Sequence, residues 1–220
     1  MHGARGGIRL GLLIFVVLLG LVAGQFTWRY MTRANRLNDE AVDLMNQDKY
    51  EAAMTRLDEA LAIDPNHFLA SYHRALCRAE RHMWEDSLAD FDHALSLRPD
   101  EPRANFNRGK LLWTLGRFEE AHRSLLRATE LDHQAPEPWL LLGECEYELF
   151  LKAAAAHPGA PGSPAAAVAA LKTYLRLETK PADRRAVEQK LEILEHLDKY
   201  PEVLERRAPP PVGGEAHLEP

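Results

Sequence analysis

The apolar positions of Gly109–Ala128, GKLLWTLGRFEEAHRSLLRA, fall into two short helical runs with a break between them. The first run carries Gly109, Leu112 and Trp113. The break is at Gly116, and the second run carries Phe118, Ala121, Leu125 and Ala128. Apolar residues at three- and four-residue intervals predict amphipathic helices that bury one stripe. The pattern recurs about 34 residues earlier at Ala75, Trp84, Ser87, Phe91, Ala94 and Pro99, and again at Ala41, Tyr50, Ala53, Leu57, Ala60 and Pro65. A fixed period of this size predicts an array of helix–turn–helix units, none of which buries its apolar face alone. Small residues recur where two helices must cross closely: Ala41, Ala75, Gly109 and Gly143 in the first helices, and Ala60, Ala94 and Ala128 in the second. Leu57, Phe91 and Leu125 fill the space between neighbours.

The pattern divides the chain into units at 34–67, 68–101 and 102–135, and a fourth at 136–179. The fourth opens with Trp139, Leu142, Gly143 and Tyr147 and carries an insertion at 149–163. Leu149–Ala156 extend its first helix, His157–Ser163 read as a loop, and Ser163 followed by Pro164 is the expected cap of the next helix. Ala167, Leu171 and Tyr174 then take the second-helix places. A capping helix is predicted from Pro181 within 181–200, with Val187, Leu191, Leu194 and Leu197 on one face. The Pro/Gly-rich stretch 208–220 reads as a disordered tail.

Ahead of the array, Leu10–Gly24 is an unbroken apolar run of 15 residues. With Ile8, Phe26, Thr27 and Trp28 it reaches about 20, the length of a bilayer-spanning helix. Trp28 and Tyr30 match interfacial aromatics, and Arg29 and Arg33 follow. The expectation is therefore a signal-anchor helix over 1–30, inserted through residues 8–28. It would make a single-pass membrane protein, placed in a bacterial inner membrane with the repeats on the exported side. The alternative is a cleaved leader with Val22-Ala23-Gly24 as the cleavage site. Thr32–Ala34 is read as a short hinge before the first unit.

Net charge is −6, unevenly spread. Residues 1–36 hold five arginines and no acid, which leaves 22 basic against 33 acidic residues in the remainder. That balance excludes nucleic acid as a general partner, because phosphate binding needs a basic face. Cys77 and Cys145 hold equivalent places two units apart, beyond disulfide reach, and read as small buried apolar residues. His82 and Asp86 straddle a turn, and Asp90, Asp92 and His93 are expected to face solvent. The sequence contains no phosphate loop, zinc pattern or nucleophile elbow. No catalytic residue, metal, cofactor or small-molecule substrate is expected.

The period and the residues quoted above closely resemble the tetratricopeptide repeat, over roughly Ala34–Thr179. Ser87 departs from the usual Ala, and His133 stands where Pro closes a unit. The resemblance implies an all-α solenoid, here preceded by the N-terminal transmembrane helix, and a non-enzymatic scaffold that binds a protein or peptide partner. In such arrays the first helices line a concave face. Its columns are Asn38, Tyr72, Phe106 and Leu140; Val42, Leu76, Lys110 and Glu144; and Met45, Ala79, Trp113 and Tyr147. Tyr72, Phe106, Trp113 and Tyr147 would form an aromatic groove, with Arg103 and Lys110 as its charged contacts. Chaperone-tail receptors of this family grip a terminal carboxylate with Lys and Asn, then Asn, then Lys and Arg. The matching places here are Asn38 and Val42, His73, and Arg103 and Asn107, of which only Arg103 keeps the type.

Overall fold

Residues 48, 82 and 116 share a backbone conformation that sets the architecture. Asp48, His82 and Gly116 have φ of 57°, 58° and 71°, the left-handed region, at intervals of 34 residues. Each ends a first helix in the same way. Lys49 N donates to Leu44 O at 3.0 Å, Met83 N to Arg78 O at 2.8 Å and Arg117 N to Leu112 O at 2.9 Å, which satisfies carbonyls left open by the last turn. In the computed structural model, which describes residues 4–156, 164–178 and 180–196, the chain runs through α1 (Ala4–Met45), α2 (Tyr50–Ile63), α3 (Phe68–Glu80), α4 (Trp84–Leu97), α5 (Pro102–Thr114), α6 (Phe118–Leu131), α7 (Pro136–Ala156), α8 (Ala165–Leu177) and α9 (Pro181–Glu195). Consecutive helices pack as antiparallel neighbours, and the first helices of successive units also meet, α1 on α3 and α5 on α7.

The crossings explain the small residues. Leu57, Phe91, Leu125 and Leu171 are all fully buried. A Cβ on Gly109 would lie 2.7 Å from Leu125 Cγ, and one on Gly143 would lie 2.6 Å from Leu171 Cδ2. Ser87 satisfies its hydroxyl by donating to Ala75 O at 2.7 Å across the α3/α4 crossing, so a polar group sits there without an unmet hydrogen bond. Unit ends are held by Asx turns: Asp64 Oδ1 accepts from Asn66 N, and Asp132 Oδ1 from Gln134 N, both at 3.0 Å.

A polar ladder ties units together on the side of the crossings. Arg74 reaches Asp90 of its own unit and Asp58 of the preceding one, both at 2.7 Å. Thirty-four residues on, Arg108 reaches Ser124 and Asp92, both at 2.6 Å. In the first unit the polarity is reversed, with Glu40 facing Arg56 at 3.6 Å. Asp90 was expected at the surface but is 4% exposed, because its column points back at the first helix, where Arg74 and Arg78 hold both carboxylate oxygens.

Other expectations change near the ends. Position 150, next in the 34-residue series of left-handed turns, is Phe150, an aromatic that resists that conformation and is 9% exposed in the core. The turn is therefore absent and α7 continues to Ala156. The cap position of α8 is Pro164, without a side-chain hydrogen bond, while Ser163 lies outside the described residues. Leu197 and the tail also lie outside them. No hinge forms at Thr32–Ala34, because nothing there breaks a helix and α1 runs through unbroken.

The expectation of a membrane span is overturned. Among the described residues, no helix is long and apolar enough to cross a membrane. The uninterrupted apolar run of 15 residues covers only ~22 Å at about 1.5 Å per residue, against a hydrocarbon core of ~30 Å. Reaching 20 residues required counting across Arg9 and Gln25. The assignment to a bacterial inner membrane with exported repeats falls with it.

Candidate functional site

The first helices present their columns unevenly. Tyr72 is 5% exposed and belongs to the core: it stacks on Phe68 and meets Phe91 edge-on, each at 6.0 Å between centroids. Its hydroxyl accepts from Asn107 Nδ2 at 2.8 Å, and burial pushes its ionisation up to about 12. One unit earlier, the matching pair is His73 Nδ1 and Asn38 Oδ1 at 2.7 Å. Burial, with the charge of His67, pushes the His73 imidazole down to about 4. Leu76, Ala79 and Met45 are also buried. Around these residues the inner face of the first two units is filled by its own side chains, while a second cavity of about 340 Å³ opens at the start of α3, lined by Met31, Asn35, Asp64, His67 and Leu69.

At the far end α9 closes the face. Lys190 donates to Glu144 in a largely buried pair, and its Nζ stands 4.7 Å above the ring of Tyr147. Tyr147 packs in a second apolar cluster with Phe150, Leu171, Tyr174, Val187 and Leu194. Burial raises its ionisation, and burial also raises the carboxyl of Glu148.

Between α5 and α7 the face is open. A cavity of about 310 Å³ lies where α5, the end of α6 and the start of α7 meet. Arg103, Phe106 and Lys110 line one wall, Glu137 and Pro138 the other, and Asp132 stands at the α6 end. Arg103 is exposed and Phe106 and Lys110 are half-buried. Asn107 lies at the base, 2% exposed, with its Oδ1 without a hydrogen-bond partner. Trp113, one turn beyond Lys110, is half-buried with its indole N–H buried and unpartnered. Of the six residues proposed from sequence, the cavity brings together Arg103, Phe106 and Lys110. Trp113 lies beyond its lining, and Tyr72 and Tyr147 lie in the packed regions on either side. Sequence reasoning used Asn107 only as a failed carboxylate ligand. The signal available was its place one residue after Phe106, on the turn facing the same wall. Among the described residues no three His, Cys, Asp or Glu side chains come together to hold a metal ion.

The tetratricopeptide repeat model matches residues 38–102, 78–136 and 106–161, which together span more than half of the chain. The protein belongs to the tetratricopeptide repeat family. The chain is similar to a Dictyostelium discoideum protein described as a STIP1 homolog, 26% identical over 100 residues, which cover 46% of this chain and 18% of that protein. The match thus spans about a fifth of the relative's length. Among solved structures, its fold is similar to that of Pseudomonas aeruginosa PilF (TM-score 0.60, 20% identity, 80% of this chain and 73% of that one). It is also similar to the first TPR domain of Spaghetti (RPAP3) bound to the HSP90 peptide SRMEEVD (TM-score 0.52, 22% identity, 54% and 94% covered).

Proposed function

We propose that this chain is a non-enzymatic adaptor that holds a protein partner by a peptide segment laid on the face of the first helices. Its contact site would be the cavity walled by Arg103, Phe106 and Lys110, with Trp113 at its edge. The observation that supports this reading is that cavity, which brings Arg103, Phe106 and Lys110 to one opening between α5 and α7. Aromatic and arginine side chains in such a recess are the usual carriers of binding energy. The fold-similar RPAP3 domain is bound to an HSP90 peptide. The ligand here is of another kind, because the places that would grip an acidic terminus hold Asn38 and His73, bonded to each other, and Asn107, bonded to Tyr72.

A photo-crosslinking amino acid placed at Phe106, compared with one at exposed Leu126 on α6, tests the site. Capture of a partner from position 106 and not from 126 is the expected result. Capture from 126 alone would move the site to the opposite surface.

A further inference from the structure

Two hydrogen bonds tie α3 back to α1, and histidine makes both. His67 Nε2 meets Asn35 Oδ1 and His73 Nδ1 meets Asn38 Oδ1, each at 2.7 Å. The other contacts of these groups fix where the ring protons sit. His67 is the N-cap of α3, and its Nδ1 accepts from Ala70 N at 3.0 Å, so its one ring proton lies on Nε2 and is given to Asn35. Asn38 Nδ2 donates to Asp39 Oδ1 at 3.3 Å, which leaves Asn38 Oδ1 to accept from His73. A second proton suits neither ring. On His67 it would set an N–H against the Ala70 N–H, end the cap and put a positive charge at a helix N-terminus. On His73 it would charge a ring whose proton affinity burial and the charge of His67 already push down to about 4. The corresponding contacts further along, Asn107 with Tyr72 and Lys190 with Glu144, contain no histidine.

We propose that the α1/α3 junction is an acid-released latch: protonation of His67 and His73 lets the first unit, α1 with α2, separate from α3 while the units behind it stay stacked. A repeat touches only its neighbours, so a terminal unit can open by itself. Release exposes the faces of α2 and α3 that now cover each other. The charges around the junction act in both directions. Asp39 of α1 favours a charged His73 and so opposes release. Asp64 lines the cavity beside His67, and Arg98 of α4 stands over the ring of Phe68, next in the chain to His67. His93 of α4 bonds to Ser71, and Arg103 of α5 acts on Tyr72. From α2, Asp58 and Glu51 reach Arg74 and Arg81 and hold the first unit by ion pairs, a separate chemistry. His73 takes its proton more readily once α1 has left, at about 6.5 instead of about 4, so acid favours the released state. From pH 7 to pH 5 this moves the equilibrium by up to about twentyfold through His73 alone.

Hydrogen–deuterium exchange of the full chain at pH 7, 6 and 5, corrected for the intrinsic pH dependence of amide exchange and resolved by helix, tests the latch. The expected result is that protection in α2 falls about ten- to twentyfold between pH 7 and pH 5, while protection in α6 changes by less than about twofold. The double variant His67→Asn/His73→Gln keeps a capping oxygen for Ala70 N and an amide donor for Asn38 without a titrating ring, and should lose the pH effect in α2. An equal loss in α2 and α6, a loss that begins only below about pH 4.5, where carboxylates in general take up protons, or the same loss in the double variant overturns the inference. The first two readings come from the unaltered protein, so they decide the matter even if the double variant fails to fold.

Discussion

Replacing Gly109 by alanine puts the α5/α6 crossing to a quantitative test. The added Cβ would sit 2.7 Å from Leu125 Cγ, 2.9 Å from Cδ2 and 3.3 Å from the Leu125 backbone nitrogen. Two effects oppose each other. Alanine in a helix interior is more stable than glycine by about 1 kcal/mol. Overpacking a filled core costs about 1–3 kcal/mol, and Leu125 is fully buried. Overpacking therefore wins, and Gly109→Ala should destabilise by up to about 2 kcal/mol. In a Leu125→Ala background the clashing atoms Cγ and Cδ2 are gone. Leu125→Ala itself should cost about 2–5 kcal/mol, but Gly109→Ala added to it should now stabilise by about 1 kcal/mol. The sign reverses, and the coupling between the sites is about 1–3 kcal/mol. Urea unfolding of the four proteins, followed by far-UV circular dichroism and tryptophan fluorescence with coincident transitions, gives the four free energies. If Gly109→Ala has the same effect in both backgrounds, or stabilises the parent protein by the full helix-propensity gain, close approach is not why glycine stands there.

Further outcomes are expected. The His73 imidazole, at about 4 in the fold against about 6.5 unfolded, binds its proton more readily in the unfolded chain. Stability should therefore fall as pH drops from 6.5 towards 4, by no more than about 3 kcal/mol, and His73→Gln should flatten that part of the pH–stability curve. Asp90→Ala leaves Arg74 and Arg78 without their shared carboxylate and should cost about 3 kcal/mol, read from the urea midpoint. Burial pushes the Cys77 and Cys145 thiols up to about 12, so neither should react with a disulfide reagent at pH 8 until denaturant is added. The peptide SRMEEVD should show no saturable heat of binding in calorimetry. A fitted isotherm would return the chaperone-tail reading that His73 and Asn107 argue against.

The periodic part of this fold was legible because each place in a unit has one steric demand. Ala41, Ala75 and Gly109 must be small where helices cross, and Leu57, Phe91 and Leu125 must fill the space opposite. The turns were half legible. Gly116 stands out by its residue type, whereas Asp48 and His82 adopt the same left-handed backbone and show it only through the 34-residue interval. Asp90 misled because an aspartate on a helix ordinarily reads as solvated. Its burial depends on Arg74, 16 residues away, and on Arg78, a distance no helical period reports. The site was legible as columns, and Arg103, Phe106 and Lys110 do share a cavity. Which members of a column stay open depends on what covers them. Tyr147 lies in the same column as Trp113, yet only Tyr147 meets Lys190 of α9. The apolar run near the start misled for a simpler reason: the length count included residues on the far side of Arg9 and Gln25.

The reversed polarity at Glu40 bears on whether units of this array can trade places. Arg74 and Arg108 each reach back to an aspartate on the second helix of the unit before, Asp58 and Asp92. The first unit presents Glu40 at that place, so seating it behind the second helix of the second unit would set Glu40 against Asp92. Stacking surfaces that are otherwise near copies of one another thereby acquire a beginning. The exchanged charge therefore fits the first unit to the head of the array and not to the place behind α4.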